Sequence, residues 1–229
     1  MSASYKAKAR EVLMEKSPAI YITTLIYAIL PVAVQFLVGK SVFGNGYWLF
    51  SFFDESHYHF FETLNFFQSS YLTILTVVLS IVFGLLDYGY EYYCLQASRG
   101  RDVTYADLFS GFNQPLRIII ANLIIGVKVF LWSLLLVIPG IIAAISYSQT
   151  YRILADNPDI SASEAISRSV RIMYGHKGDW FILQLSFFWW YVLSSLTYSI
   201  SSIYSEPYAR CANSFFYEDI SASAERFTY

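Results

Sequence analysis

Between Leu116 and Tyr151 the chain carries an apolar run of about 36 residues. As one helix it would be roughly 54 Å long at 1.5 Å per residue. That exceeds the ~30 Å hydrocarbon layer of a membrane under any ordinary tilt. The run must therefore fold back or break. Pro139 and Gly140, near its centre, supply the residues for positions i+1 and i+2 of a type II turn. Arg99, Arg101 and Arg117 precede the run, and Arg152, Arg168, Arg171 and Lys177 follow it. Basic residues in short loops stay in the cytoplasm, so both ends lie on that side. A helical hairpin turning at Pro139–Gly140 is expected; a single kinked helix is the alternative, since membrane helices tolerate proline.

Composition supports a lipid-facing exterior. Of 229 residues, 56% are hydrophobic, 19% aromatic and only 14% charged, and the mean hydropathy is +0.44. An ordinary soluble surface needs more charge than this. The formal net charge of −2 gives no basic field for phosphate backbones, which argues against a nucleic-acid partner. Cys94 and Cys211 form no metal or redox spacing and read as isolated core or membrane-face thiols.

Further apolar stretches run from Ala19 to Val38, Leu72 to Leu95 and Trp180 to Ile203. The first is too long for a signal-peptide core and has no small-x-small cleavage site after it, so it reads as a retained helix. Lys6, Lys8, Arg10 and Lys16 before it put the N-terminus in the cytoplasm. Residues 39–71 form an external connection rich in aromatic side chains, suited to lying along the outer leaflet. Beyond Ile203, Glu206–Pro207 reads as a second turn and Tyr208 to Tyr217 as a short return helix. The fold class is thus all-α, a polytopic membrane protein of the cell membrane with five or six passes; five would leave the C-terminus outside.

Three segments read as amphipathic helices at the cytoplasmic face. Ser161 and Glu164 have capping-box spacing ahead of Ala162, Ala165, Ile166 and Met173, and Thr104 and Asp107 repeat it. Residues 1–17 carry a stripe of Tyr5, Ala9, Val12 and Leu13. The pentapeptide DISAS occurs at Asp159 and again at Asp219, a weak sign of internal duplication.

Several phrases together carry a family resemblance: GRDVTYADLFSGF, LWSLLLVIPGI, ISYSQTYRILADNPDISASEAI, MYGHKGDWFILQLSF, and PY with FYED near the end. Over about 100–219 the chain resembles the bacterial membrane-protein family catalogued as domain of unknown function 975. The resemblance implies a multi-pass plasma-membrane protein, commonly of Gram-positive bacteria, and no particular reaction. The proline-glycine turn and following helix are also similar to membrane domains attached to glycerophosphodiester phosphodiesterases, whose catalytic domain is absent here.

Ionisable groups inside a membrane are costly and by default suggest a function. Asp87 and Glu91 are one helical turn apart, and Lys128 lies at a similar depth in the next span, so they are expected to pair, as an ion site or a structural ion pair. His57, His59 and Glu62 include zinc-ligand types without a supporting motif, so no metal or other cofactor is assigned. Arg168, Arg171, His176 and Lys177 are candidates for contact with anionic headgroups. Ser80 with Gly84, and Ser195 with Ser199, have the small-x-x-x-small spacing of close helix packing. No nucleophile elbow, phosphate loop or paired catalytic carboxylates occur. The expected role is a non-enzymatic accessory or interaction protein of the envelope, with the bilayer and other membrane proteins or a second copy as partners. A small transporter or channel subunit and a lipid-binding or lipid-modifying protein are the alternatives.

Overall fold

A computed structural model describes residues 2–29, 66–197 and 200–226. Residues 39–65 of the aromatic segment, with His57, His59 and Glu62, lie outside the described residues, and 66–71 belong to a helix. The chain divides into two compact units, Met1–Leu25 with Gly84–Tyr229, and Ile26–Phe83. No strand occurs among the described residues. The helices are α1 (Ser2–Glu15), α2 (Ala19–Ile29), α3 (Phe66–Ser98), α4 (Pro115–Leu135), α5 (Val137–Tyr147), α6 (Thr150–Asp156), α7 (Ala162–Ile172), α8 (Lys177–Leu185), α9 (Phe188–Leu196) and α10 (Ser202–Arg226). A 3₁₀ segment, Tyr105–Asn113, links α3 to α4.

Two helices among the described residues are long and apolar enough to cross a membrane, Thr73–Ser98 and Pro115–Leu135, with mean hydropathies of 1.7 and 2.3. In the unit Ile26–Phe83, Ile74, Val77 and Val78 of α3 are exposed. Ser80 donates to the Val77 carbonyl of its own helix and is also exposed.

The long apolar run is a helical hairpin, but its turn is not where the sequence suggested. Leu136 alone is extended, with φ −162° and ψ 148°. Its N–H donates to Trp132 O and its carbonyl accepts from Gly140 N–H. Pro139 is therefore the third residue of α5. In a helix's first turn no N–H has an internal acceptor, so proline's missing donor removes nothing. Gly140 is required for close approach instead: a Cβ there would lie 2.1 Å from Ser133 Oγ and 2.9 Å from Ser133 Cα. Further from the turn, Lys128 Nζ sits 5.7 Å from the Tyr147 ring centroid, Tyr151 Oη donates to Asn122 Oδ1 at 2.5 Å, and Arg117 donates to the Asn157 and Pro158 carbonyls. All these pairs are centred on Leu136–Val137, as antiparallel arms require. At the tip, Leu134, Leu135, Leu136, Val137 and Ile138 are 66–75% exposed.

A second hairpin follows. Gln184 Nε2 donates to Asn213 Oδ1 at 2.7 Å, Phe187 packs edge-on against Tyr208 at 5.2 Å, and Trp190 meets Tyr204 at 5.3 Å. These pairs set α8 and α9 antiparallel to α10. Two expectations fail here. The stretch from Trp180 is not one span helix, because α8 and α9 are separated by a turn at Ser186–Phe187. The Ser186 carbonyl accepts from Lys6 Nζ at 2.8 Å. Glu206–Pro207 is not a turn either: α10 already begins at Ser202 and Pro207 lies within it.

The capping signals hold locally. Ser161 Oγ accepts from Glu164 N–H at 3.2 Å, and α7 buries Ala162, Ala165, Ile166 and Ile172. Asp107 accepts from Thr104 N–H at 2.7 Å, although the segment it opens is 3₁₀ rather than α. Gly89 and Gly111 bring that segment against α3, since a Cβ at Gly89 would lie 1.8 Å from Leu108 O and one at Gly111 2.2 Å from Leu85 O. Helix α1 buries Tyr5, Ala9, Val12 and Leu13 as its periodicity indicates. The stripe meets protein: Tyr5 packs edge-on against Phe216 of α10 at 5.9 Å and donates to Asp219 at 2.5 Å. Burial and this bond push the Tyr5 hydroxyl well above its usual pKa. The two DISAS copies differ in form, one opening α7 and the other lying inside α10, so they do not mark a structural duplication.

Candidate functional site

Helices α3, α6 and α10 run in one direction and are joined by two layers of charge. In the first, Arg210 of α10 reaches three carboxylates at once. Its Nη2 donates to Asp87 Oδ1 at 2.6 Å, its Nη1 to Glu91 Oε1 at 2.9 Å and its Nε to Glu206 Oε2 at 3.2 Å. The planar fork of arginine suits such multiple carboxylate contact. Its guanidinium also stands 4.6 Å from the Tyr90 ring centroid, a cation–π distance. Glu91 bridges to the second arginine, accepting at Oε2 from Arg152 Nη2 of α6 at 2.5 Å. Arg152 is 4% exposed and also donates to Gln149 Oε1 at 3.3 Å.

The second layer lies toward the C-terminal ends of the same helices. Arg99 clamps Asp156 of α6 with Nη1 at 2.5 Å and Nη2 at 2.9 Å, and donates through Nε to Glu218 of α10 at 2.9 Å. The hydrogen bonds from Asp156 raise the already high pKa of Arg99. Tyr217 adds a donor to Asp156 at 2.8 Å. The pairs 87/210 and 99/218 advance together along α3 and α10, which fixes their parallel sense. Between the layers lie the two cysteines, both free and buried.

A cavity of about 300 Å³ opens beside the first layer. Glu91, Arg152, Glu206 and Arg210 give it charge, Gln184 and Asn213 give it amides, and Trp180 and Tyr191 give it aromatic walls. Arg152 Nε is buried without a hydrogen-bond partner among the described residues.

The expected pairing of Asp87 and Glu91 with Lys128 is corrected by this geometry. Lys128 is exposed and lies over Tyr147, while both carboxylates bind arginine. Similar depth along two helices does not bring two side chains onto facing sides. By sequence Arg152 reads as ordinary positive-inside charge. The usable signal was that two acids in an apolar helix require a counter-charge, and Arg210 is such a residue in a largely apolar stretch. Among the headgroup candidates, Arg168 donates to Asn157 Oδ1 at 3.2 Å and Arg171 is exposed. His176 Nδ1 lies 3.6 Å from Asp179 Oδ2, and Lys177 opens α8. Gly84 brings α3 toward Asn122, whose Nδ2 would lie 2.6 Å from a Cβ. Ser195 donates within its own helix, and Ser199 is outside the described residues. No group of His, Cys, Asp and Glu among the described residues could hold a metal ion.

No curated protein and no solved structure matches the chain. One family model does, described as "Protein of unknown function (DUF975)", over residues 133–224. The match starts later than the phrases suggested, and it takes in Arg152, Glu206, Arg210 and the rest of the cavity lining except Glu91, and leaves out Asp87 as well. Over residues 133–224, this chain is similar to the DUF975 family.

Proposed function

We propose that this chain is a non-enzymatic, multi-pass protein of the cell membrane that serves as an accessory or interaction component of the envelope. The observation that carries this reading is the identity of the counter-charges: the interior carboxylates Asp87 and Glu91 are held by Arg210 and Arg152. Arginine cannot release its proton in a protein. A proton-coupled carrier needs a site that alternates protonation, which a lysine partner would have offered. The arginine-locked network instead suits a fixed helical scaffold.

A six-pass arrangement with both termini inside accounts for the parallel sense of α3, α6 and α10. They are the second, fourth and sixth passes, each running from outside to inside. The return arm α5–α6, 137–156, matches the 21 residues of α4 in length. Exposed Leu116, Leu123, Phe130 and Leu131 on α4, and Phe188, Trp189 and Leu196 on α9, suit a lipid exterior.

The test is flux together with topology. Purified protein in proteoliposomes should transport neither protons nor solutes above empty vesicles. In cells, with Cys94 and Cys211 replaced, a cysteine at Ser201 should react with an impermeant thiol reagent from outside while cysteines at Lys177 and Ala224 stay protected. Uptake that is abolished by Glu91→Gln would overturn the scaffold reading in favour of a carrier. Labelling at Ala224 would leave five passes.

A further inference from the structure

We propose that the cavity beside the first charged layer binds a small zwitterion carrying an anionic oxygen group and an ammonium. Its walls are balanced in charge, with Arg152 and Arg210 against Glu91 and Glu206. A simple anion would meet both carboxylates, and a simple cation both guanidiniums. A ligand bearing both charges can satisfy each end. Arg210 already spends its fork on three carboxylates, so the anionic end belongs at Arg152. That residue is 96% buried and retains an unpartnered Nε–H, and a buried donor left without an acceptor costs about 1–3 kcal/mol. An anionic oxygen in the cavity removes that cost.

The ammonium end belongs at Glu206, beside Tyr191. A carboxylate combined with aromatic faces is the chemistry that recognises ammonium groups. At roughly 30 Å³ per water, a 300 Å³ cavity has room for a ligand on the order of ten heavy atoms. Phosphoethanolamine and an amino acid both fit. Glu91 lies seven residues before the end of α3 at Ser98, about 10 Å along the axis. This depth admits either the headgroup of a leaflet lipid such as phosphatidylethanolamine or a free zwitterion from the aqueous side. The inference goes beyond the scaffold reading, since a fixed bundle with no transport activity can still hold such a ligand.

The probes are phosphoethanolamine, inorganic phosphate and ethanolamine, added separately to the full-length protein in detergent. Phosphoethanolamine at millimolar concentration should raise the thermal midpoint, and the two half-ligands should not. Arg152→Lys keeps the charge but removes the Nε–H, and should weaken phosphoethanolamine at least tenfold. Trp180→Ala lies outside the ion network, so it keeps the test open where Arg152→Lys fails to fold; it should weaken phosphoethanolamine about fivefold. Nanodiscs of phosphatidylethanolamine or phosphatidylglycerol then separate the sources. Retention of phosphatidylethanolamine in native mass spectrometry, competed by phosphoethanolamine, assigns a headgroup, whereas binding of the free compound without lipid retention assigns a solute. The proposal is overturned by no response to phosphoethanolamine, by an equal response to phosphate alone, or by full affinity in both variants.

Discussion

Arg210→Ala removes three contacts of 2.6, 2.9 and 3.2 Å in one step. The first layer holds three carboxylates and two guanidiniums, one negative charge in excess; without Arg210 the excess becomes two. Glu91 keeps Arg152 as a partner. Removing one partner of a buried pair costs about 3–5 kcal/mol. Asp87 and Glu206 have side chains 37% and 34% exposed, so water screens part of that loss, and the lower figure of about 3 kcal/mol is expected. At about 2–4 °C per kcal/mol for a chain of this size, the midpoint should fall by roughly 6–12 °C. Arg210→Lys retains the charge but is a point donor that cannot fork to three carboxylates, and should lose about half as much. Adding Asp87→Asn to Arg210→Ala removes one of the charges that Arg210 held and should recover part of the loss, a coupling of about 1–3 kcal/mol. Thermal unfolding in one detergent, followed by the fluorescence of the five tryptophans, reads the wild type, the three single variants and the double variant. If Arg210→Ala melts within about 2 °C of the wild type, or if Asp87→Asn adds its full cost on top, the network does not hold these helices together.

Two further substitutions test the packing around the network. Lys128→Ala should shift the midpoint by no more than about 4 °C, because an exposed cation–π contact is worth about 0.5–1 kcal/mol; a loss as large as that of Arg210→Ala would restore Lys128 as a partner of Asp87. Gly89→Ala puts a Cβ 1.8 Å from the Leu108 carbonyl oxygen and should cost about 1–3 kcal/mol in thermal unfolding. Gly126→Ala, with nothing within 4 Å of its Cβ, is the matched control and should be neutral or stabilising by up to about 1 kcal/mol.

Local chemistry was legible in the sequence. The α1 stripe, the Ser161 cap and the helical character of the apolar stretches, as far as their residues are described, follow from periodicity and capping, which depend on neighbours within four residues. The fold-back of residues 116–151 was legible from length alone. What covers the α1 stripe was not, because Tyr5 meets Phe216 and Asp219, more than 200 residues away. The same limit applied to the charged layer. Its bonds span separations of 61, 119 and 123 residues, and matched depth in the membrane selects a level without selecting a face.

Both turn positions erred in the same direction, and the shared cause is proline. Read as a breaker, proline marks where a helix stops; in a hairpin it marks where the return helix has begun. Pro139 sits three residues after Leu136, where its missing N–H has no acceptor to lose. Pro207 lies deeper, as the sixth residue of α10, where the Ile203 carbonyl forgoes its helical donor. Moving the turns back makes α10 one continuous helix through Arg210. That continuity is what carries Arg210 to Asp87 and Glu91 in one layer and Glu218 to Arg99 in the next. A turn at Pro207 would have put the two layers on a short, separately oriented segment. The turn geometry and the charge network are thus one structural fact, and the parallel sense of α3, α6 and α10 depends on both.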